Sequence, residues 1–150
     1  MIYSAKDIAN HFVAVFQKRR EEITNLKLQK LLYYAQAWHL ALYGTPLFRE
    51  RIEAWIHGPV VPPVFQNFKQ YGWQPIPVQK NTAALSEYLQ AHLKEVVRVY
   101  GKLDGPALER MTHQEAPWRD ARKGLAPDEP SNRVITHEAM RKYYGAQLHG

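Results

Sequence analysis

Acid, base and aromatic side chains crowd together in one local stretch, Thr112-His113-Gln114-Glu115-Ala116-Pro117-Trp118-Arg119. His113 and Glu115 are residue types that exchange protons near neutral pH, so together they suggest general acid–base chemistry. The same residues also describe a helix end, with the histidine near the last free carbonyls and Pro117 in the first turn of the next helix. The helix-end reading is the preferred one. Other chemistry is thinly provided. There is no glycine-rich phosphate loop, no G-x-S-x-G elbow and no H-E-x-x-H pair. The absence of cysteine excludes thiolate catalysis, disulfides and thiolate metal sites. The seven histidines, His11, His39, His57, His92, His113, His137 and His149, show no pair at helical ligand spacing. The expectation is therefore a protein that is not an enzyme and needs no cofactor or metal.

Two further groups have the composition of binding surfaces. Lys27, Lys30, Tyr33 and Tyr34 flank an apolar helical stripe, and cations beside aromatic rings are common where proteins meet partners. Lysines snorkelling over packed rings have the same signature, so both readings stay open. The segment Trp55-Ile56-His57-Gly58-Pro59-Val60-Val61-Pro62 is the second. Its Gly-Pro corner is either a rigid loop presenting Trp55 and His57 to a partner or a structural turn with Trp55 folded inward.

The elements that must position these groups are mainly helical. Ser4 and Asp7 form an S-x-x-D cap, and Ile8, Phe12, Val15 and Phe16 follow on one helix face. That helix ends at Lys18-Arg19-Arg20. A second helix starts after Thr24 or Asn25, carries Leu28, Leu31, Leu32, Ala35, Trp38 and Leu42 on one stripe, and stops at Gly44. As the longest and most apolar helix, it is expected at the centre of the core. Ile52, Ala54 and Ile56 alternate with Glu53 and Trp55 as a half-buried strand would, with Leu47-Phe48 as the expected hairpin partner and Gly58-Pro59 as its end. A helix through Val61, Phe65 and Phe68 ends at Gly72, and Trp73 to Val78 is extended because of its prolines. Leu85 to Tyr100 forms a long amphipathic helix with Leu85, Leu89, Leu93, Val96, Val97 and Tyr100 inward. Asp104 caps a helix through Leu108 and Met111, Pro117 to Lys123 is a short helix, and Gly124 to Asn132 is a polar loop. Thr136 caps a last helix carrying Met140, Tyr143 and Tyr144. The pattern predicts a mainly α, single compact domain over residues 1–150, with six to seven helices and a small inserted antiparallel β-hairpin or sheet.

Composition narrows the class further. The chain is 45% hydrophobic and 23% charged, ordinary values for a folded domain. No apolar run approaches the ~20 residues of a membrane helix, and the N-terminus lacks the pattern of a signal peptide, so a cytoplasmic protein is expected. The net charge of +6 invites a nucleic-acid reading, yet its excess is spread as +3, +2 and +1 over successive thirds. Nucleic-acid binders concentrate their charge on one face. A helical DNA-binding regulator is therefore the alternative and not the leading reading.

Thr24 to Gln36 resembles the signature of the Panacea domain, a SocA-like, phage-associated family. The resemblance continues through Pro46-Leu47-Phe48, Ile52-Glu53-Ala54-Trp55, Gly58-Pro59-Val60-Val61-Pro62 and Phe68-Lys69-Gln70-Tyr71-Gly72. It resumes from Leu108 to Arg122, with Thr112 to Trp118 and Ala121-Arg122 in the order of the family's second motif. The chain departs from the pattern at Ala37 and His57. The resemblance implies an antitoxin of a toxin–antitoxin pair, neutralising a cognate protein toxin encoded nearby by direct binding. One branch of the family also acts as a proteolytic adaptor, delivering its toxin to an AAA+ protease. Some members carry an added DNA-binding domain, for which this chain is expected to have no room. Lys27, Lys30, Tyr33, Tyr34, Trp55, His57 and Trp118 are the candidate partner-binding residues.

Overall fold

The computed structural model describes residues 3–77, 79 and 84–148. Within them the chain forms seven α-helices and a three-stranded antiparallel sheet, the mainly α architecture with a small sheet that the periodicity predicts. The helices are α1 (Ala5–Lys18), α2 (Asn25–Tyr43), α3 (Pro62–Phe68), α4 (Glu87–Tyr100), α5 (Gly105–His113), α6 (Ala116–Ala121) and α7 (His137–Leu148). The strands are β1 (Ile52–Trp55), β2 (Gly58–Val60) and β3 (Val134–Ile135). Val78, the end of the segment expected to be extended, lies outside the described residues.

Local chemistry starts and stops the helices as expected. Ser4 and Asp7 form a complete capping box on α1, while Thr24 and Asp104 each accept a first-turn N–H on α2 and α5. α4 begins two residues later than the expected Leu85, with Ser86 as its cap. Gly44, at φ 75°, closes α2 in the left-handed region that glycine enters without a Cβ clash. The inward residues of α4 are buried, from Leu89 through Tyr100.

α2 is more than an amphipathic helix. Fourteen of its 19 residues are buried, and it packs against α1, α3, α4, α5, α7 and β2. The expected stripe holds from Leu28 to Ala35, but Trp38 is only half-buried and Leu42 is 49% exposed. A helix enclosed on all sides must satisfy every polar side chain it carries, because an unpartnered buried polar group costs about 1–3 kcal/mol. That requirement explains most of the site described below.

The sheet differs from expectation in three respects. Leu47-Phe48 does not pair with β1; the Gln36 side chain takes the Leu47 N–H at 2.6 Å and donates to the Phe48 carbonyl at 2.8 Å, so α2 supplies the bonds a strand would have made. Ile56 belongs to the turn, not the strand. Gly58-Pro59 forms β2 instead of ending the strand, with Ala54 opposite Pro59. Proline is tolerated because β2 is an edge strand in the order β2-β1-β3, and because Ala54 directs its N–H to the Arg133 carbonyl on the other side. β3 pairs with β1 through Ile52↔Ile135 and Glu53↔Val134. Its two residues are too few for alternation to reveal.

Candidate functional site

Lys30 lies in the middle of α2 with no exposed surface, and its Nζ donates to the Pro59 carbonyl at 3.0 Å. Burial disfavours the ammonium and lowers its pKa to about 7, an effect the Glu109 carboxylate partly offsets. The backbone can approach so closely because residue 58 is glycine. It sits at φ 103°, and a Cβ there would lie 2.7 Å from Lys30 Cε and 2.9 Å from Thr112 Oγ1. One residue earlier, Gln29 accepts the Val61 N–H at 2.9 Å and donates to Asn25 at 2.9 Å, and Asn25 donates to the Phe65 carbonyl at 3.2 Å. The first motif stretch thus grips the corner between β1 and α3 from below.

The second motif stretch grips it from the other side. Trp118 Nε1 donates to the Trp55 carbonyl at 2.8 Å, and Arg122 donates to the Ala54 carbonyl at 3.0 Å. The other arm of Arg122 reaches the Ala126 and Glu129 carbonyls at 3.1 and 2.6 Å, while its guanidinium lies 5.2 Å from the Trp118 ring centre. The His113 ring stacks on Trp118 at 4.0 Å and 16°. Two stretches some 80 residues apart in sequence therefore converge on residues 54–61. They form a clamp.

The clamped corner presents a groove. It encloses about 270 Å³ between Trp55, Phe65 and Trp73, with Gln29 and Lys30 among its lining residues and His57 and Lys69 among its charged or titratable ones. Trp55 meets Phe65 edge to face at 5.0 Å, and His57 meets Trp73 at 6.0 Å. Trp73 is 70% exposed. His57 Nδ1 lies 3.2 Å from the Glu109 carboxylate, which also faces His113 Nε2 at 4.0 Å.

Geometry separates the sequence-predicted residues. Trp55 and His57 line the groove, Lys30 lies beneath it, and Trp118 is 9% exposed behind the corner. Of the two readings left open for Lys27, Tyr33 and Tyr34, burial favours the packed one: they are 8%, 0% and 0% exposed and do not present a binding flank, against their place among the candidate partner-binding residues. Lys27 Nζ donates to the Gly101 carbonyl at the end of α4, 2.6 Å away, and lies 4.6 Å from the Phe16 ring centre. Burial lowers its pKa. Tyr34 and Tyr144 both donate to Glu115 Oε1, at 2.8 and 2.9 Å, and Tyr33 meets the Tyr144 hydroxyl at 3.0 Å. Burial raises the pKa of Glu115, opposed by these two hydroxyls.

His113 and Glu115 therefore have different partners. The histidine faces Trp118 and Glu109; the carboxylate serves the tyrosine cluster. Among the described residues no three His, Cys, Asp or Glu side chains gather as metal ligands, and no helix is long and apolar enough to cross a membrane. Sequence reasoning missed Trp73, Phe65, Lys69 and Glu109. Trp73 alone had a readable signal, an aromatic directly after a helix-ending glycine in a proline-rich stretch.

The family model "Antitoxin SocA-like, Panacea domain" matches residues 28–119, more than half of the chain. The curated Antitoxin SocA of Caulobacter vibrioides (strain NA1000 / CB15N) is 48% identical over 50 residues, 33% of this chain. The matched stretch spans 27% of that relative's length. No solved structure matches. On the family match, this chain belongs to the antitoxin SocA-like family of Panacea domains.

Proposed function

We propose that the chain is an antitoxin that neutralises a cognate protein toxin by direct binding, and that the clamped corner and its groove are the docking face. The observation that carries this reading is the groove itself: an aromatic-walled pocket on a corner held by hydrogen bonds from both family motifs. A surface fixed in advance loses little entropy on binding, and aromatic anchors seated in pockets supply most interface energy. A volume of about 270 Å³ accommodates one large apolar side chain. His57 and Lys69 line the groove and no carboxylate does, so the favoured toxin segment is an apolar residue flanked by acidic ones. The full interface would cover roughly 800 Å² on each partner.

Co-expression of the chain with the product of the adjacent reading frame tests the proposal. Growth rescue and co-purification are expected; failure of both with every toxic neighbour defeats it. A second activity within the same proposal is delivery of the bound toxin to an AAA+ protease. It predicts a shorter toxin half-life in cells that hold both the chain and the protease. The DNA-binding alternative predicts salt-dependent retention on duplex DNA, with toxicity unrelieved.

A further inference from the structure

Leu42, Tyr43, Tyr88, Val99 and Leu148 are five of the seven large apolar side chains exposed among the described residues. They lie together. Leu42, Val99 and Leu148 line one hollow of about 320 Å³ with Trp38, His92 and Val96, while Tyr43 meets Tyr88 edge to face at 5.6 Å. The patch joins the last turn of α2, the outer face of α4 and the end of α7. Along α4, Tyr88, Ala91, Glu95 and Val99 recur at the spacing of a single helix face. Each of the five apolar side chains is about half exposed, so the patch presents on the order of 500 Å² of apolar surface, a size that often marks an interaction site.

Charge indicates what covers it. The last turn of α2 and the last turn of α7, Gly145 to Leu148, carry no ionisable acid or base other than Tyr43. Glu95 and Arg98 on α4 are bonded to each other. The other two charged residues of α4, Glu87 and Lys94, are opposite in sign, so this face carries no net formal charge in a chain of net charge +6. An acidic partner gains nothing from it, whereas two copies of a cationic chain repel least where it meets itself. We infer that a second copy of this chain docks on this face about a two-fold axis near the middle of α4. The two α4 helices then run antiparallel, Tyr88 of each against Val99 of the other, and each copy's Glu95 and Arg98 stay neutralised by one another. Doubled by that axis, the apolar area reaches about 1,000 Å², the threshold for a specific interface before any polar rim is counted. The inference is independent of the toxin-binding groove.

Sedimentation equilibrium on the full chain alone should give twice the chain mass at tens of micromolar. Val99→Glu and Leu42→Glu each set a carboxylate against the partner's apolar side chains, and should weaken self-association at least tenfold with an unchanged circular dichroism spectrum. The chain has no cysteine, so Ala91→Cys provides a single thiol near the axis. A bis-maleimide should cross-link that variant into dimers and leave Gln66→Cys, on α3, monomeric. The cross-linking result stands even where a glutamate variant misfolds. A monomeric wild-type chain overturns the inference, as does a dimer that neither glutamate variant weakens and Ala91→Cys fails to cross-link. Loss of toxin binding in Val99→Glu, with the free chain monomeric, would assign the face to the toxin instead.

Discussion

Lys30 and Gly58 depend on each other, and each predicts a measurable effect. Gly58→Ala places a Cβ 2.7 Å from Lys30 Cε at a φ of 103°. We expect a loss on the order of 2–4 kcal/mol in urea unfolding. A loss below about 1 kcal/mol would show that the corner yields easily. Lys30 itself should make stability depend on pH. Its folded pKa is lowered to about 7, against 10.5 for the free side chain. Between those values the unfolded chain holds the proton and the native chain does not, so stability rises with pH across that window. The slope approaches 1.4 kcal/mol per pH unit at its steepest. Below pH 7 the buried ammonium opposes folding in full. Lys30→Met should lack this rise, so the wild type should gain on it by more than 1 kcal/mol from pH 7 to 9. Parallel curves would place Lys30 in a wetter site. Neither residue's role was visible from its neighbours in sequence, since Lys30 meets Pro59 across 29 positions.

Among the elements, α6 acts as a latch. Through Trp118 and Arg122 it holds β1 and the Gly124–Asn132 loop together. Arg122→Met leaves three carbonyls without their charged donor and should cost about 2–4 kcal/mol. Amide exchange should quicken at Ala54 and Glu129, both next to the lost bonds, before it does in α2. Uniform exchange with unchanged stability would remove the latch. Helices were well anticipated because their caps and 3.6-residue periodicity are local; α1, α2 and α5 start at the residues their caps mark, while α4 starts two residues after the expected Leu85. The sheet was anticipated only in part. β1 shows alternation, but its partners were decided by a glutamine on α2, by a proline at an edge and by a two-residue strand 80 positions away.

For the whole molecule, the proposed docking face and the stabilising interior are distinct, and so should be the effects of changing them. Trp73 is 70% exposed at the groove. Trp73→Ala should weaken toxin binding by about 30-fold, the 2 kcal/mol of an interface anchor, with little change in melting temperature. Undiminished affinity would move the docking face elsewhere. Tyr34→Phe should show the reverse, costing about 1 kcal/mol of stability through Glu115 while leaving affinity intact. By itself the sequence determined the helical class, the caps and the two motif stretches, because these rest on nearest-neighbour chemistry and on periodicity. Tertiary structure alone decided which of the motif residues face out. An apolar stripe accompanied by lysines and tyrosines reads either as a core face with a binding flank or as lysines lying over packed rings. Six elements close around α2, and Lys27, Lys30 and Tyr34 find a carbonyl or carboxylate there, so these side chains become interior.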